Sequence, residues 1–290
     1  MRRRLALLLA AGLVVLAGCG SSGPPPIEDP KEILAQGIEA LQGTKSVHVR
    51  VDVSGEAPLD LTGAGSGANA IPLDGTTLEG DIDIEGKNLG LKFAIPPLLG
   101  LTGEIRVIDD AAYIRMPLLG PKWMKQSASG SGTDAVGTAS DPQKALEDIR
   151  KALDNPKVAP KKLADEKCGT KDCYHVQLTI PTDELVGEVA GALGSAVPLP
   201  SGAALPSGSA DATLDVWVEK DTMKIAKVTV DAAMETAKIK ATVTLSKWDQ
   251  PVTIEAPPAD QVDETGGGLL PGLLPGLLPS FGLETPQPSQ

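Results

Sequence analysis

Leu78-Glu79-Gly80-Asp81-Ile82-Asp83-Ile84-Glu85 alternates strictly, with Leu78, Ile82 and Ile84 on one side and Glu79, Asp81, Asp83 and Glu85 on the other. A period of two marks a strand, because successive side chains leave the pleat on opposite faces. Four carboxylates in a row must meet water. The sheet that holds this strand therefore has one charged face and one aliphatic face, and the aliphatic one needs a cover of helices, a second sheet or a ligand.

The pattern extends in both directions. Upstream, Val47, Val49, Val51 and Val53 alternate with His48, Arg50 and Asp52. Before them, Asp29-Pro30 forms an N-cap with proline at the first helical position, Ile33, Leu34, Ile38 and Leu41 recur at helical spacing, and Gly43 stops the helix. The stretch from Pro58 to Thr76, rich in Gly, Ala and Ser, reads as a loose hairpin arm or loop. Downstream, Gly86-Lys87-Asn88 turns into Leu89–Phe93, and Ile105–Ile108 and Ala112–Met116 form a hairpin around Asp109-Asp110. Helices are expected at 141–154 and 182–193, each followed or preceded by a low-complexity loop. Strands are expected over Lys157–Lys167, Tyr174–Ile180, Thr213–Glu219, Lys224–Ala232 and Ala237–Lys247. Together these predict an α+β fold: a strongly curved antiparallel β-sheet, or half-barrel, with helices at 31–42, 141–154 and 182–193 covering its concave apolar face.

The N-terminus carries an address. Arg2, Arg3 and Arg4 precede an apolar run from Leu5 to Leu16, then Leu16-Ala17-Gly18-Cys19. This is the order of a secretory signal peptide, and its last four residues fit a bacterial lipobox, whose cysteine is lipidated and becomes the mature N-terminus. The apolar run is too short to span a bilayer. The expected organisation is a signal peptide over 1–18, a lipidated tether over 19–26, a folded domain over 27–258 and a low-complexity tail over 259–290. The tail repeats Leu-Leu-Pro-Gly from Leu269, and proline at every fourth position forbids both a continuous helix and a central strand. The expected location is the extracytoplasmic face of the cell membrane, held by the lipid on Cys19.

Composition narrows the function. The formal charge is −12, and loss of the three signal arginines takes it to −15, which excludes nucleic acid as a partner and disfavours electrostatic docking on anionic lipid. Aromatic residues are 2% of the chain against 41% apolar in total, so the interior is built from smooth aliphatic side chains. Cys168 and Cys173 remain once Cys19 is assigned. In an exported chain a hairpin-closing disulfide is the expected state, since a metal site lacks further soft ligands nearby and a redox centre favours C-x-x-C.

No catalytic constellation is present. G-x-S-x-G, G-x-x-x-x-G-K-[ST], H-E-x-x-H and a G-x-G-x-x-G after a strand are all missing. His48 and His175 sit at alternate strand positions and read as exposed residues; two histidines alone cannot hold zinc. The carboxylate row reads as solvated, without the aromatic platforms of a glycosidase or the loop of a calcium motif. No enzyme activity, cofactor or metal is expected.

Several segments carry a resemblance. Lys45-Ser46-Val47-His48-Val49-Arg50-Val51, together with the lipobox and short first helix, resembles the opening of the LppX/LprA/LprF/LprG-type bacterial lipoproteins. So does Tyr113-Ile114-Arg115-Met116-Pro117-Leu118-Leu119-Gly120-Pro121-Lys122-Trp123. Cys173-Tyr174-His175-Val176 and Val216-Trp217-Val218-Glu219-Lys220-Asp221-Thr222 are similar to later strands of that family. The resemblance covers about residues 27–258. It implies a fold similar to the periplasmic lipoprotein carriers, in which a curved sheet cups a hydrophobic cavity. It also implies binding of acylated lipids or glycolipids, their movement through the cell envelope, and an envelope transport partner. The inserted Gly/Ala/Ser loops, the Cys168–Cys173 pair and the tail depart from it.

The candidate lipid-binding residues are those expected on the aliphatic side: Val49, Val51, Ile82, Ile84, Leu91, Ile114, Val176, Leu178, Val216, Val228 and Val243. Acyl chains would be held there by burial alone, at about 25 cal/mol per Å². The alternative is a surface lipoprotein that transports nothing, whose sheet only packs on its helices and whose loops or tail meet a partner.

Overall fold

The computed structural model describes residues 26–59, 69–109, 111–127, 158–181, 211–233 and 237–263. Asp29 caps the first helix through a 2.9 Å hydrogen bond from the Lys31 N–H, with Pro30 directly after it, so α1 (Pro30–Glu39) begins where the sequence places it. It ends earlier than the expected residue 42. Residues 40–44 continue as tight turns, with Gly43 at a φ of +78°.

Among the described residues fourteen strands follow, joined in one large, curved, unclosed sheet. They are β1 (Ser46–Leu59), β2 (Asn69–Pro72), β3 (Thr76–Asp83), β4 (Asn88–Ile95), β5 (Leu101–Ile108), β6 (Ala111–Arg115) and β7 (Trp123–Ser127). The second half adds β8 (Ala159–Lys162), β9 (Glu166–Cys168), β10 (Lys171–Pro181), β11 (Asp211–Glu219), β12 (Ile225–Ala233), β13 (Lys238–Ser246) and β14 (Val262–Asp263). The order across the sheet is β14-β7-β6-β5-β4-β3-β1-β13-β12-β11-β10-β8, with β2 attached to β1 and β9 to β10. β1 is the keystone: it pairs antiparallel with both β3 and β13 and so joins two meanders.

The helical share is smaller than expected. Among the described residues α1 is the one α-helix on the sheet; the helices expected at 141–154 and 182–193 lie outside them, as do the signal peptide, Cys19 and the tail beyond Asp263. The arm over 58–76 contributes a short strand, β2, which pairs with the end of β1. The expected strand over 157–167 is divided into β8 and β9, both paired with β10. The sheet also runs past the boundary expected at 258, because β14 pairs in parallel with β7.

The closed core lies where α1 meets the second meander. Ile33, Leu34 and Ile38 of the helix are buried, and the first two join Val158, Tyr174, Val176, Leu178, Ile180, Val216 and Val218 in one cluster. Burial of each such aliphatic side chain contributes about 1.5–3 kcal/mol. Gly37 packs toward Ile225 and Val218, where a Cβ would make ordinary contacts of 3.4 and 3.5 Å.

Candidate functional site

Residues directly opposite one another in an antiparallel pair share a face, so the register traces each face across the whole sheet. One row runs Val176–Val216–Val228–Val243–Val51–Leu78–Phe93 and ends on Gly103. Beside it lies Leu245–Val49–Gly80–Leu91–Ile105–Ile114–Met124. A third row is Leu178–Leu214–Val230–Ala241–Val53, and a fourth is Val47–Ile82–Leu89–Val107–Ala112. These four rows make one aliphatic face. Ten of the eleven candidate residues lie in them; Ile84 continues the alternation just past β3, its N–H donating to the Lys45 carbonyl at 2.8 Å.

The face is divided. Val176, Leu178 and Val216 are 0%, 2% and 5% exposed and are occupied by packing against α1 and its neighbours. Val51, Ile82, Ile84, Leu91, Ile114, Val228 and Val243 are half-buried, and so are Leu78, Leu89, Phe93 and Ile105 around them. Val49 stands at the border at 9%. On the first meander Val47, Ala112 and Met124 of these rows are buried as well, at 6%, 0% and 8%, so among the described residues that part of the face is closed at its edges and half-buried between them. Two glycines lower its floor. Gly103 faces Phe93, and a Cβ on Gly103 would fall 2.4 Å from the ring's Cζ, so the ring lies in the space the glycine leaves. A Cβ on Gly80 would fall 2.0 Å from the Gly90 carbonyl oxygen, a clash that only glycine avoids.

The opposite face carries the charge. His48 bonds Asp81 at 2.7 Å and Glu79 at 3.3 Å, while Arg50 meets Glu79 at 2.6 Å and Asp52 at 2.7 Å. The Arg50 guanidinium is held above its ordinary value, chiefly by hydrogen bonding to Asp52 and by the charge of that carboxylate, with Glu79 adding to both. The row expected to be simply solvated is thus tied across strands. Asp83 accepts the Gly86 N–H at 2.8 Å, and the left-handed residue of that turn is Lys87, at a φ of 55°.

His175 departs from the sequence expectation. It is on the charged face, yet only 7% exposed. Its ring stacks on Trp217 with centroids 4.3 Å apart and planes 16° apart, its Nε2 is 2.8 Å from Asp215 Oδ1, and its Nδ1 is 3.4 Å from Glu166. Trp217 donates from Nε1 to Glu166 at 3.0 Å, and Lys227 Nζ lies 3.5 Å above the indole. Alternation placed His175 on the correct face but carries no signal for what covers that face.

All three tryptophans of the chain have a cation over the ring: Arg106 and Arg115 at Trp123, Lys227 at Trp217, and Lys224 at Trp248. The aliphatic rows consequently hold no tryptophan, and Phe93 is their one aromatic residue. A strap over residues 251–263 crosses the charged face: Ile254 approaches Gly90, the Glu255 carbonyl accepts from Arg106 at 2.9 Å, and Val262 lies opposite Trp123.

A hollow of about 730 Å³ lies between the Cys168–Cys173 hairpin and the end of β13, lined by Lys167, Lys171, Lys224, Lys227, Lys247 and Trp248 among others. Three of its lysines are already neutralised, Lys167 by Asp172, Lys171 by Glu219 and Asp221, and Lys224 by Asp249. The Cys168–Cys173 disulfide closes the turn between β9 and β10, its Cα atoms 5.9 Å apart. Among the described residues no group of three or more His, Cys, Asp or Glu side chains is placed to hold a metal ion. What the described residues offer chemically is an apolar surface.

The fold has solved relatives. LppX from Mycobacterium tuberculosis is 16% identical over 78% of this chain and 97% of its own, with a TM-score of 0.50. LprF from Mycobacterium bovis is 18% identical over 80% of this chain and 98% of its own, with a TM-score of 0.51. No curated protein matches the sequence. The model of the LppX_LprAFG lipoprotein family matches residues 29–254, which is most of the chain and nearly all of the sheet. The chain belongs to the LppX_LprAFG lipoprotein family.

Proposed function

We propose that this protein binds acylated lipids or glycolipids on the open aliphatic surface of its first meander and carries them through the cell envelope, held at the extracytoplasmic face of the membrane by a lipid on Cys19. The observation that carries this reading is the contrast within one face. Among the described residues the aliphatic rows are closed by α1 over β8, β10 and β11, and half-buried over β3 to β5, with Ala112 of β6 buried. A monomer does not leave a continuous aliphatic surface of that extent facing water without a use for it. Val49, Val51, Ile82, Ile84, Leu91, Ile114, Val228 and Val243 would contact acyl chains, while Val176, Leu178 and Val216 would shape the floor from within the core. Membership of a lipoprotein family supports the anchor.

Non-directional burial suits a carrier. Acyl contact stabilises a complex by about 25 cal/mol per Å² without fixing the ligand's register, so chains of different length can be held and released. Native mass spectrometry of protein purified from membranes without detergent tests the reading. A co-purifying acyl lipid, and transfer of a labelled lipid between vesicles, are the expected results. A protein that is repeatedly empty and transfers nothing would leave the surface-lipoprotein alternative.

A further inference from the structure

Leu99 adopts a left-handed conformation, φ 55°, and its side chain is 92% exposed. Both choices are unfavourable in water: a γ-branched residue occupies a region that favours glycine or asparagine, and it presents its whole apolar surface to solvent. It lies in Pro97-Leu98-Leu99-Gly100, the turn between β4 and β5. The turn between β6 and β7 repeats the motif as Pro117-Leu118-Leu119-Gly120, with Leu118 63% and Leu119 38% exposed. β5 and β6 are hydrogen-bonded neighbours, so the two turns project side by side from one end of the sheet; Pro117 and Thr102 line the same small hollow between them.

The two turns carry no carboxylate. Residues 95–101 and 116–125 contain no Asp or Glu, and the second stretch contributes Lys122 and Lys125. The turns at the opposite end mix acids and bases, with Asp83, Glu85, Asp109, Asp221 and Asp249 beside Lys45, Lys87, Lys220, Lys224 and Lys247. The two leucine turns are thus apolar, with two lysines and no carboxylate of their own, while Asp74 of the neighbouring β2–β3 turn lies at the same end. Only nine residues separate Cys19 from the helix cap Asp29, a reach of at most about 35 Å, so a lipidated chain keeps its domain next to the bilayer.

We propose that the β4–β5 and β6–β7 turns insert Leu99 and Leu118 into the lipid bilayer interface, docking the sheet end-on against the membrane. The occupant is the membrane itself, whose apolar depth receives the leucines and whose phosphates meet Lys122 and Lys125. The inference rests on the lipid anchor at Cys19 and is independent of whether the aliphatic face holds a ligand.

The test uses the membrane-purified, lipidated full chain in vesicles of phosphatidylethanolamine and phosphatidylglycerol doped with acyl-brominated phosphatidylcholine. With Cys19 lipidated and Cys168 paired to Cys173, a single introduced thiol takes an environment-sensitive fluorophore. Leu99→Cys and Leu118→Cys are expected to give blue-shifted, bromine-quenched emission, and Lys87→Cys, in an opposite-end turn, water-like emission. Adding Leu99→Asp to the Leu118→Cys protein should abolish the quenching while the thermal melt stays unchanged. Water-like emission at both leucine positions, or equal quenching at all three, would overturn the proposal. Co-purifying lipid is scored on the same samples, so failed docking and failed carriage are read separately.

Discussion

His175 and Trp217 stack face to face on the charged side of the sheet, 4.3 Å between centroids, and Lys227 closes the other side of the indole. A histidine that alternation alone places in solvent is thereby buried, and a tryptophan that could have lined the apolar face stabilises the opposite one. This stack fixes β10 against β11 and β12 at the position where the β11–β12 register shifts between Trp217 and Val218.

Trp217→Ala should therefore cost about 3–5 kcal/mol of folding stability, the range for a buried large aromatic residue. Trp217→Phe, which keeps a stacked ring but loses the hydrogen bond to Glu166, should cost about 1 kcal/mol. Urea unfolding followed by circular dichroism checks both. Lipid binding by the surviving folded fraction should be unaffected, because Trp217 points away from the aliphatic rows.

The two parts of the aliphatic face should separate in mutants. Val176 is fully buried beneath α1, so Val176→Asn strands an amide in the core and should destabilise by about 2–4 kcal/mol. Leu91 is half-buried on the open part, and Leu91→Gln should change stability by about 1 kcal/mol or less. Native mass spectrometry should find co-purifying acyl lipid lost in Leu91→Gln despite an intact melt. Retention of lipid there would remove the first meander from the binding surface.

Much of this division was legible in the sequence, and part was not. Val47–Val53 and Leu78–Glu85 state which side of each strand is apolar, and the register then joins those sides into one face. Asp29-Pro30 marks the helix start because capping is local chemistry. β2, β9 and β14, at four, three and two residues, are too short for alternation to register. The burial of His175 depends on Asp215, 40 residues away, and on Trp217 beside it, and that of Trp123 on the strap, which returns to β7 from beyond residue 250. Periodicity reports a face's polarity, never its cover.

Acid should loosen the end of the sheet where β1 begins. Asp249 accepts the Lys45 N–H at 2.9 Å, and Lys224 bonds the same carboxylate. Its pKa is lowered, first by the hydrogen bond from Lys224, then by that from the Lys45 backbone. A carboxylate with a depressed folded-state pKa stabilises the fold above its unfolded pKa, about 4, and loses that contribution as pH falls through the folded value. Asp172 and Asp221, lowered by Lys167 and Lys171, act in the same direction. The Tm should fall between about pH 5 and pH 3, and Asp249→Asn should flatten that slope while lowering the Tm at neutral pH.

The strap makes the domain boundary testable. Trp123 is 2% exposed beneath Arg106 and Arg115, whose guanidinium carbons lie 4.6 and 4.8 Å from its ring centroid, and Val262 of the strap pairs beside it. Glu104 holds both arginines, at 3.4 and 2.9 Å. β7 is the last long strand on that side, so without β14 its backbone groups face solvent and its tryptophan loses a neighbour. A chain ending at Asp263 should melt like the full protein, because it keeps the parallel pair. A chain ending at Pro258 lacks that pair while retaining Ile254 and Glu255, and should show red-shifted tryptophan emission and faster amide exchange in β7. Equal exchange in the two truncations would mean that the bond from Arg106 to the Glu255 carbonyl holds the strap by itself, and that the fold ends where the alternating pattern does.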